Sequence, residues 1–469
     1  MPRTHAPAVV IGASVGGLLA AQVLADHFPA VLLVDRDDLP NTAAPRSGTP
    51  QDAHVHVLFP PGLGVLEDLF PGFTVDFCRK GGHLIDVGAH LVLATRHGWG
   101  LRTPSGTSAI GASRPLLEHV LRDRVLAHPH VRFLPRHHAE ALEGTPAKVT
   151  SVTLRARDAP PGTPTRSQAA SLVVDASGRG SRLPSWLAAL GCPTVPESVV
   201  DPHLGYASRL FTPPPSLTVP DWRACYVLET GPDITRGGVL APFDQDRWIA
   251  TLTGVGADRP TVSPDDFLPF ARSLTTPIIA DLLAHATPLT PVVRSNSTAG
   301  RRRHYDQVRG LPANVLALGD SACALNPLYA QGMTVAALSA QKLAQCLAQA
   351  GLDSRTLSRR YHHALKTVHQ SPWLLGTTAD LRYPSTRAKP HPGVGQRLFS
   401  RYINWVQAAG TRDPHTQAAF LDVLTLVRPP TALLSPRVLI AALAEGGEGT
   451  GPAPLPPSLR TDPTSRNQP

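Results

Sequence analysis

The stretch Val9-Val-Ile-Gly-Ala-Ser-Val-Gly-Gly17 constrains the fold more than any other part of the chain. A short apolar run ends at Gly12, helical periodicity runs from Leu18 to Phe28, and a second apolar run, "AVLLVD", ends at Asp35. That order predicts a βαβ unit at residues 7–35 and a doubly wound parallel sheet built on it. Gly12 permits the tight turn and Gly17 lets the helix pack closely on the strand. The helix N-terminus can face a pyrophosphate, and the Asp35 carboxylate, at the spacing such sites use, can bind ribose hydroxyls. Ser14 stands where a middle glycine is usual. It is compatible with the site if its hydroxyl donates to a phosphate oxygen.

Composition narrows the function classes. A chain of 469 residues can bury a large core and hold two or three domains. No apolar run is long enough to span a membrane, and the N-terminus lacks the pattern of a secretory signal, so a cytoplasmic location is expected. The formal net charge is +9. Lysine occurs only at Lys80, Lys148, Lys342, Lys366 and Lys389, and the arginines are scattered apart from Arg301-Arg302-Arg303. No aromatic-interleaved basic stripe is present, so nucleic acid is not an expected partner. The surplus fits attraction for anionic ligands such as nucleotide phosphates. Cys78, Cys192, Cys225, Cys323 and Cys346 have no metal-ligand spacing, and His54-Val-His56 and His362-His363 lack a completing carboxylate or thiolate. No metal is expected.

Further along, Ser113 caps an amphipathic helix whose stripe is Leu117, Val120, Leu121 and Val125. Two alternating strands follow "VRFL", and a strand ends in the Gly/Ser turn Asp175-Ala-Ser-Gly-Arg-Gly-Ser181. Residues 190–300 alternate as a mostly antiparallel sheet. "Asn314-Val-Leu-Ala-Leu-Gly-Asp320" is a buried strand meeting a loop, and a long helix runs from Met333 to Ala350.

The segment Leu316 to Met333, "LALGDSACALNPLYAQGM", then resembles the late motif of the flavoprotein monooxygenase superfamily that includes aromatic hydroxylases and squalene-type epoxidases. Asp35-Arg36, Arg114 and the Asp175–Ser181 turn match its other motifs. "PQDAHVHVLFPPGLGVLEDLFPG" and "SRPLLE" look closest to the flavin epoxidases of polyether biosynthesis. The resemblance, over residues 7–385, implies an α/β fold. Its Rossmann-type FAD-binding domain would comprise residues 1–75, 111–189 and 300–370. An inserted, mostly antiparallel substrate domain would hold 76–110 and 190–299, followed by a helical region 371–444 and a disordered tail 445–469.

It also implies FAD as cofactor and NAD(P)H as transient electron donor. FAD would be held by Gly12, Ser14, Gly17, Asp35, Arg36, Arg46, Arg114, Gly319, Asp320, Pro327, Gly332 and Met333, with the loop Pro327, Gln331, Gly332, Met333 at the flavin ring. The expected reaction passes through a flavin C4a-hydroperoxide and epoxidises an alkene of a polyene polyketide or isoprenoid. A phenol hydroxylase and a prenyl reductase are the alternatives, and a halogenase is disfavoured because Trp186, Trp222 and Trp248 are isolated. The flavin carries the chemistry, so no protein nucleophile or general base is expected. Tyr206, Arg209, Phe243 and Trp248 are candidate walls for a small apolar substrate, delivered by a carrier or a membrane. His54 and His56 are read either as neighbours of the flavin or as hydrogen-bonded structural residues. Electrons would reach the flavin from NAD(P)H directly or through a separate flavin reductase as partner.

The departures from the superfamily pattern are Ser14, Cys323 for histidine, Ala330 for the first glycine of Gly-Gln-Gly, and Thr334 for asparagine. Ser177-Gly178 also replaces Asp-Gly, which leaves Asp175 as the nearest alternative carboxylate.

Overall fold

The computed structural model describes residues 6–160, 162–214, 222–350, 355–391 and 393–445. Its centre is a five-stranded, wholly parallel sheet in the spatial order Val315–Ala317, Leu172–Asp175, Ala8–Ile11, Val31–Val34, Val131–Leu134. Such a sheet is covered on both faces, so its strands read as unbroken apolar runs rather than alternations. Val9, Val10, Leu33, Val173, Val174 and Leu316 are accordingly buried, each stabilising the fold by roughly 1.5–3 kcal/mol. The chain reverses its winding direction between Ala8–Ile11 and Leu172–Asp175. A crevice therefore opens at the carboxyl ends of those two strands, where open α/β sheets bind ligands.

Helices Val15–Ala25 and Gly332–Ala350 pack against one another over this sheet. Where two strands were expected after Leu134, there are three, His137–Gly144, Val149–Ala156 and Arg166–Ala169, in an antiparallel meander. The third is polar and exposed, so it carries no apolar alternation to reveal it.

An eight-stranded sheet faces the crevice. It contains Leu204–Thr212, Arg236–Phe243 and Arg247–Val255, all antiparallel, and receives Leu91–Thr95 beside Ala224–Val227 as its one parallel pair. A separate four-stranded sheet joins Glu197–Asp201 to Gly300–Arg303, Cys323–Ala324 and Arg387–Lys389.

Helix Leu357–Asp380 runs through Pro372 without a break at residue 371. Buried His362 lies beneath the central sheet and accepts a 3.1 Å hydrogen bond from the Ala317 amide, so it serves the fold. Helices Val394–Ala409, Pro414–Leu424 and Pro436–Ala444 close the far side of the large sheet. The tail expected to be disordered lies, beyond Glu445, outside the described residues. Among the described residues no helix is long and apolar enough to cross a membrane.

Candidate functional site

The cofactor turn shows its chemistry in the space its glycines leave. Gly12 has φ +100°, and a Cβ there would lie 2.5 Å from the Ala176 carbonyl oxygen. A Cβ on Gly17 would lie 1.7 Å from the Gly12 carbonyl oxygen. The turn is thus pressed between the helix and the neighbouring strand's end, as a pyrophosphate cradle requires. Ser14 begins the helix in extended backbone, and its side chain makes no capping hydrogen bond. The first helical N–H groups are left for an anion, which is the position a dinucleotide phosphate takes.

The Ser14 hydroxyl does not point to a phosphate position as expected. It donates to Glu118 and accepts a 2.6 Å hydrogen bond from Arg114. Glu118, one helical turn beyond Arg114, is only 3% exposed and binds Arg114 Nε at 2.9 Å and Arg46 Nη2 at 3.3 Å. Burial opposes ionisation of this carboxyl. The two guanidiniums and the Ser14 hydroxyl outweigh burial and hold its pKa below the ordinary value. Sequence reasoning passed over Glu118. The signal was present in "SRPLLE", where a glutamate four residues after an arginine interrupts an otherwise apolar face.

Arg46 is the centre of the cradle. It reaches Asp35 Oδ1 at 3.3 Å, Asp37 Oδ2 at 3.2 Å and Glu118. Asp35 in turn accepts from the Ala13 amide at 2.6 Å, which ties the acid of the second strand to the glycine turn. Arg36 is exposed and donates to the Gly48 carbonyl at 3.3 Å. At the crevice's other side, Asp320 sits 3.6 Å from Arg179, and a Cβ on Gly332 would be 3.8 Å from Asp320 Oδ1. Asp320 therefore stands at the N-terminus of helix Gly332–Ala350. Asp175 does not face the crevice: it is wholly buried and accepts from Ser177 and Ser181, so it braces the turn from beneath.

One cavity of about 1160 Å³ runs along the cradle. Gly12, Ser14, Asp35, Arg36, Arg46, Arg114, Gly319, Asp320, Pro327, Gln331, Gly332 and Met333 line it; Gly17 lies behind the turn. The cavity continues past the loop Asn326–Gln331 into a chamber between the large sheet and the C-terminal helices. Leu91, Leu93 and Leu228 face Ile403, Phe420 and Leu424 across it. His54 and His56 border the cavity: His54 Nδ1 lies 2.8 Å from Ser208 Oγ, and His56 Nδ1 lies 2.9 Å from the His54 carbonyl. Burial lowers the His54 pKa to about 4, so its ring is neutral.

Of the four residues proposed as walls, Tyr206 lines the cavity and Arg209, Phe243 and Trp248 do not. Strand alternation is the reason for two of them. Arg209 falls on the face opposite Tyr206 and donates to the Thr290 carbonyl at 2.9 Å, and Trp248 falls opposite Thr251 and Thr253. Phe243 shares the face of Val239 and Ala241 but lies beyond the cavity, packed with Ala224 and Ile249.

The chamber also holds acids where no acid–base group was expected. Glu229 lines it, 8% exposed, with Thr253 Oγ1 at 3.2 Å. A Cβ on Gly237 would lie 2.1 Å from Glu229 Oε2, so that glycine makes room for the carboxyl. Burial raises Glu229 to a pKa of about 8. Behind the loop, Asp380 accepts from Tyr329 at 2.7 Å and Asn326 at 3.0 Å, and burial raises it to about 7.

A family model described as "FAD binding domain" matches residues 5–371. The chain belongs to this FAD-binding family. Its cofactor is FAD, and the cradle fits that group: two glycines without room for a Cβ, an uncapped helix N-terminus and an acid at the second strand's end. A curated relative, "Protein Rv3254" of Mycobacterium tuberculosis (strain ATCC 25618 / H37Rv), is 31% identical over 436 residues, covering 91% of this chain and 90% of the relative. Among solved structures, the p-nitrophenol 4-monooxygenase PnpA from Pseudomonas putida DLL-E4 shares the fold at a TM-score of 0.61 and 16% identity, with 90% of this chain and 98% of that one covered. The flavin-dependent brominase Bmp2 does so at 0.62 and 13%, with 95% and 94% covered.

Within the family's late motif, Ala330 takes the position of a glycine and keeps a left-handed backbone, φ +54°. Thr334 accepts from the Phe59 amide at 3.0 Å, fastening that segment to the helix. Cys323 is buried, which raises its pKa to about 12 and leaves it an inert thiol.

Proposed function

We propose that the protein is an FAD-dependent monooxygenase that epoxidises an alkene in a large, mainly apolar molecule such as a polyene polyketide or isoprenoid. The observation that carries this reading is the continuity of the cofactor cradle with an apolar chamber between Leu91, Leu93 and Leu228 and the C-terminal helices. Bound FAD, reduced by NAD(P)H, supplies oxygen transfer from O2. The chain's own residues bind, orient and exclude water. Gly12 and the helix at Val15 receive the pyrophosphate, Asp35 the ribose, and Asp320 with the Gly332 helix end the flavin side. Tyr329 and Asn326, anchored on Asp380, hold the loop between cofactor and substrate. The aliphatic walls keep water from the reacting double bond.

Hydroxylation of a phenol is the second reading, because Glu229 offers a carboxyl inside the chamber. Burial raises that carboxyl to a pKa of about 8, near the range in which a carboxyl serves as a base. The mainly aliphatic walls of the chamber rank epoxidation first. The FAD-loaded protein should be incubated with NADPH, O2 and polyenes, with and without an added flavin reductase, and the products weighed. One added oxygen that acid converts to a diol supports epoxidation. Two added hydrogens without oxygen uptake would establish a reductase instead, and oxygenation confined to phenols would establish the second reading.

A further inference from the structure

The chamber is apolar along its length but not at the end beside the large sheet's Tyr226–Thr230 segment. There the Tyr226 hydroxyl, Thr230 Oγ1 and Thr378 Oγ1 are buried and, among the described residues, have no hydrogen-bond partner. All three residues line the cavity together with Glu229. A buried hydroxyl without a partner is costly, so three bordering one cavity, two from the sheet segment and one from helix Leu357–Asp380, mark a place that a ligand's polar group completes.

We infer that Tyr226, Glu229, Thr230 and Thr378 form a recognition site for a neutral oxygen function, a hydroxyl or carbonyl, on an otherwise apolar substrate. The inference rests on the proposed oxygenation only in taking the occupant for the substrate. Charge complementarity decides between neutral and ionic groups. The guanidinium at this end, Arg382, is spent on the C-terminal helix: Nε donates to Ser400 Oγ at 2.7 Å, Nη1 to Asn404 at 2.8 Å and Nη2 to the Ser400 carbonyl at 2.9 Å. None of the four recognition side chains is a cation, and each of the three Arg382 nitrogens already has an acceptor on the C-terminal helix. Among the described residues the carboxyl of Glu229 has no cationic partner, and burial keeps it mostly protonated at neutral pH. It therefore presents an O–H and a carbonyl oxygen, as hydroxyls and ketones require, and does not attract an ammonium as a carboxylate would.

Three probes with one C15 chain separate these cases: farnesol, farnesene and farnesylamine. Each is titrated into the FAD-loaded protein without NADPH, and binding is followed by protein and flavin fluorescence. Farnesol should bind about tenfold more tightly than farnesene, the range of one well-formed hydrogen bond. Tyr226→Phe, which keeps the ring and the fold, should reduce that ratio to about threefold or less. Equal binding of alcohol and hydrocarbon, tightest binding of the amine, no binding of any probe, or an unchanged ratio in Tyr226→Phe would each overturn the inference. Selective binding of farnesol without oxygen incorporation under turnover would sink the proposed reaction and leave the recognition site standing.

Discussion

Two sets of buried carboxyls support the two ends of one continuous cavity, and they are managed in opposite ways. In the cradle, Asp37 and Glu118 lie among Arg46, Arg114 and Arg157, and their pKa values fall below the ordinary range although burial alone would raise them. Asp52 departs from this: burial pushes it up, and the neighbouring Glu118 charge adds to that. At the chamber, Glu229 and, behind the loop, Asp380 have hydroxyl and amide partners but, among the described residues, no guanidinium partner, and burial raises both. The difference follows the occupant. A region that receives phosphates needs fixed cations, and fixed cations need buried anions to hold them in place. A region that receives an apolar molecule is better served by groups that can hydrogen-bond without charge.

The strongest test removes the cradle itself. Gly12→Val puts a branched side chain at φ +100° and within 2.5 Å of a carbonyl oxygen, so the purified protein should be colourless even after FAD is added. Ser14→Gly should stay yellow. It forfeits hydrogen bonds to Glu118 and Arg114 but leaves the direct Arg114–Glu118 pair, at a cost of about 1 kcal/mol in urea denaturation. Flavin bound normally by Gly12→Val would mean that the turn is not the cradle.

The same carboxyl-to-amide change then separates the two acid sets. Glu118→Gln leaves two buried guanidiniums short of an anion and should cost about 3–5 kcal/mol at neutral pH. Glu229→Gln replaces a protonated acid by a neutral amide and should cost less than about 1 kcal/mol. Equal losses would erase the contrast.

Acidity gives a finer version. The Glu229 pKa is raised on folding, so between an unfolded value near 4.5 and about 8 the folded state holds the extra proton. Stability then falls as pH rises, by up to about 1.4 kcal/mol per pH unit, and Glu229→Gln should flatten that slope between pH 5 and 8. Asp380 acts in the same direction up to about pH 7, which is why the wild type and the variant are compared at each pH. Glu118 has the opposite sign. Its contribution is present above the unfolded pKa and is lost as pH falls through its depressed folded value.

The cradle was far more legible than the chamber. A dinucleotide turn is local, so Gly12, Gly17 and Asp35 declare themselves by spacing within one βαβ unit. The parallel strands declare themselves by their unbroken apolar runs. The chamber is assembled from segments more than 300 residues apart, Leu91 and Leu93 meeting Phe420 and Leu424, and no local pattern marks such a contact. Tyr206 was placed, but Arg209 and Trp248 required the phase of each strand's alternation, which composition does not supply. Glu229 at the end of "ACYVLET" and Glu118 in "SRPLLE" were visible as lone acids in apolar surroundings. What their environments do to them, ionising one and neutralising the other, depends on which arginines reach them: Arg114 on the same helix and Arg46 from a distant loop for Glu118.

The smallest effect lies where the two regions meet. Ala330 borders the cavity between cradle and chamber, with φ +54°. A left-handed backbone costs a residue with a β-carbon about 1–2 kcal/mol, while glycine adopts it freely. The alanine methyl recovers part of that by packing against the cluster formed by the C-terminal helices. Ala330→Gly removes both the strain and the contact, and glycine adds its own entropy cost in the unfolded chain. The balance should be a gain of about 0.5 kcal/mol in unfolding free energy, with FAD retained. A loss of stability would mean that the methyl's contact with the chamber roof outweighs the strain. The loop would then be held more by the chamber than by the cradle.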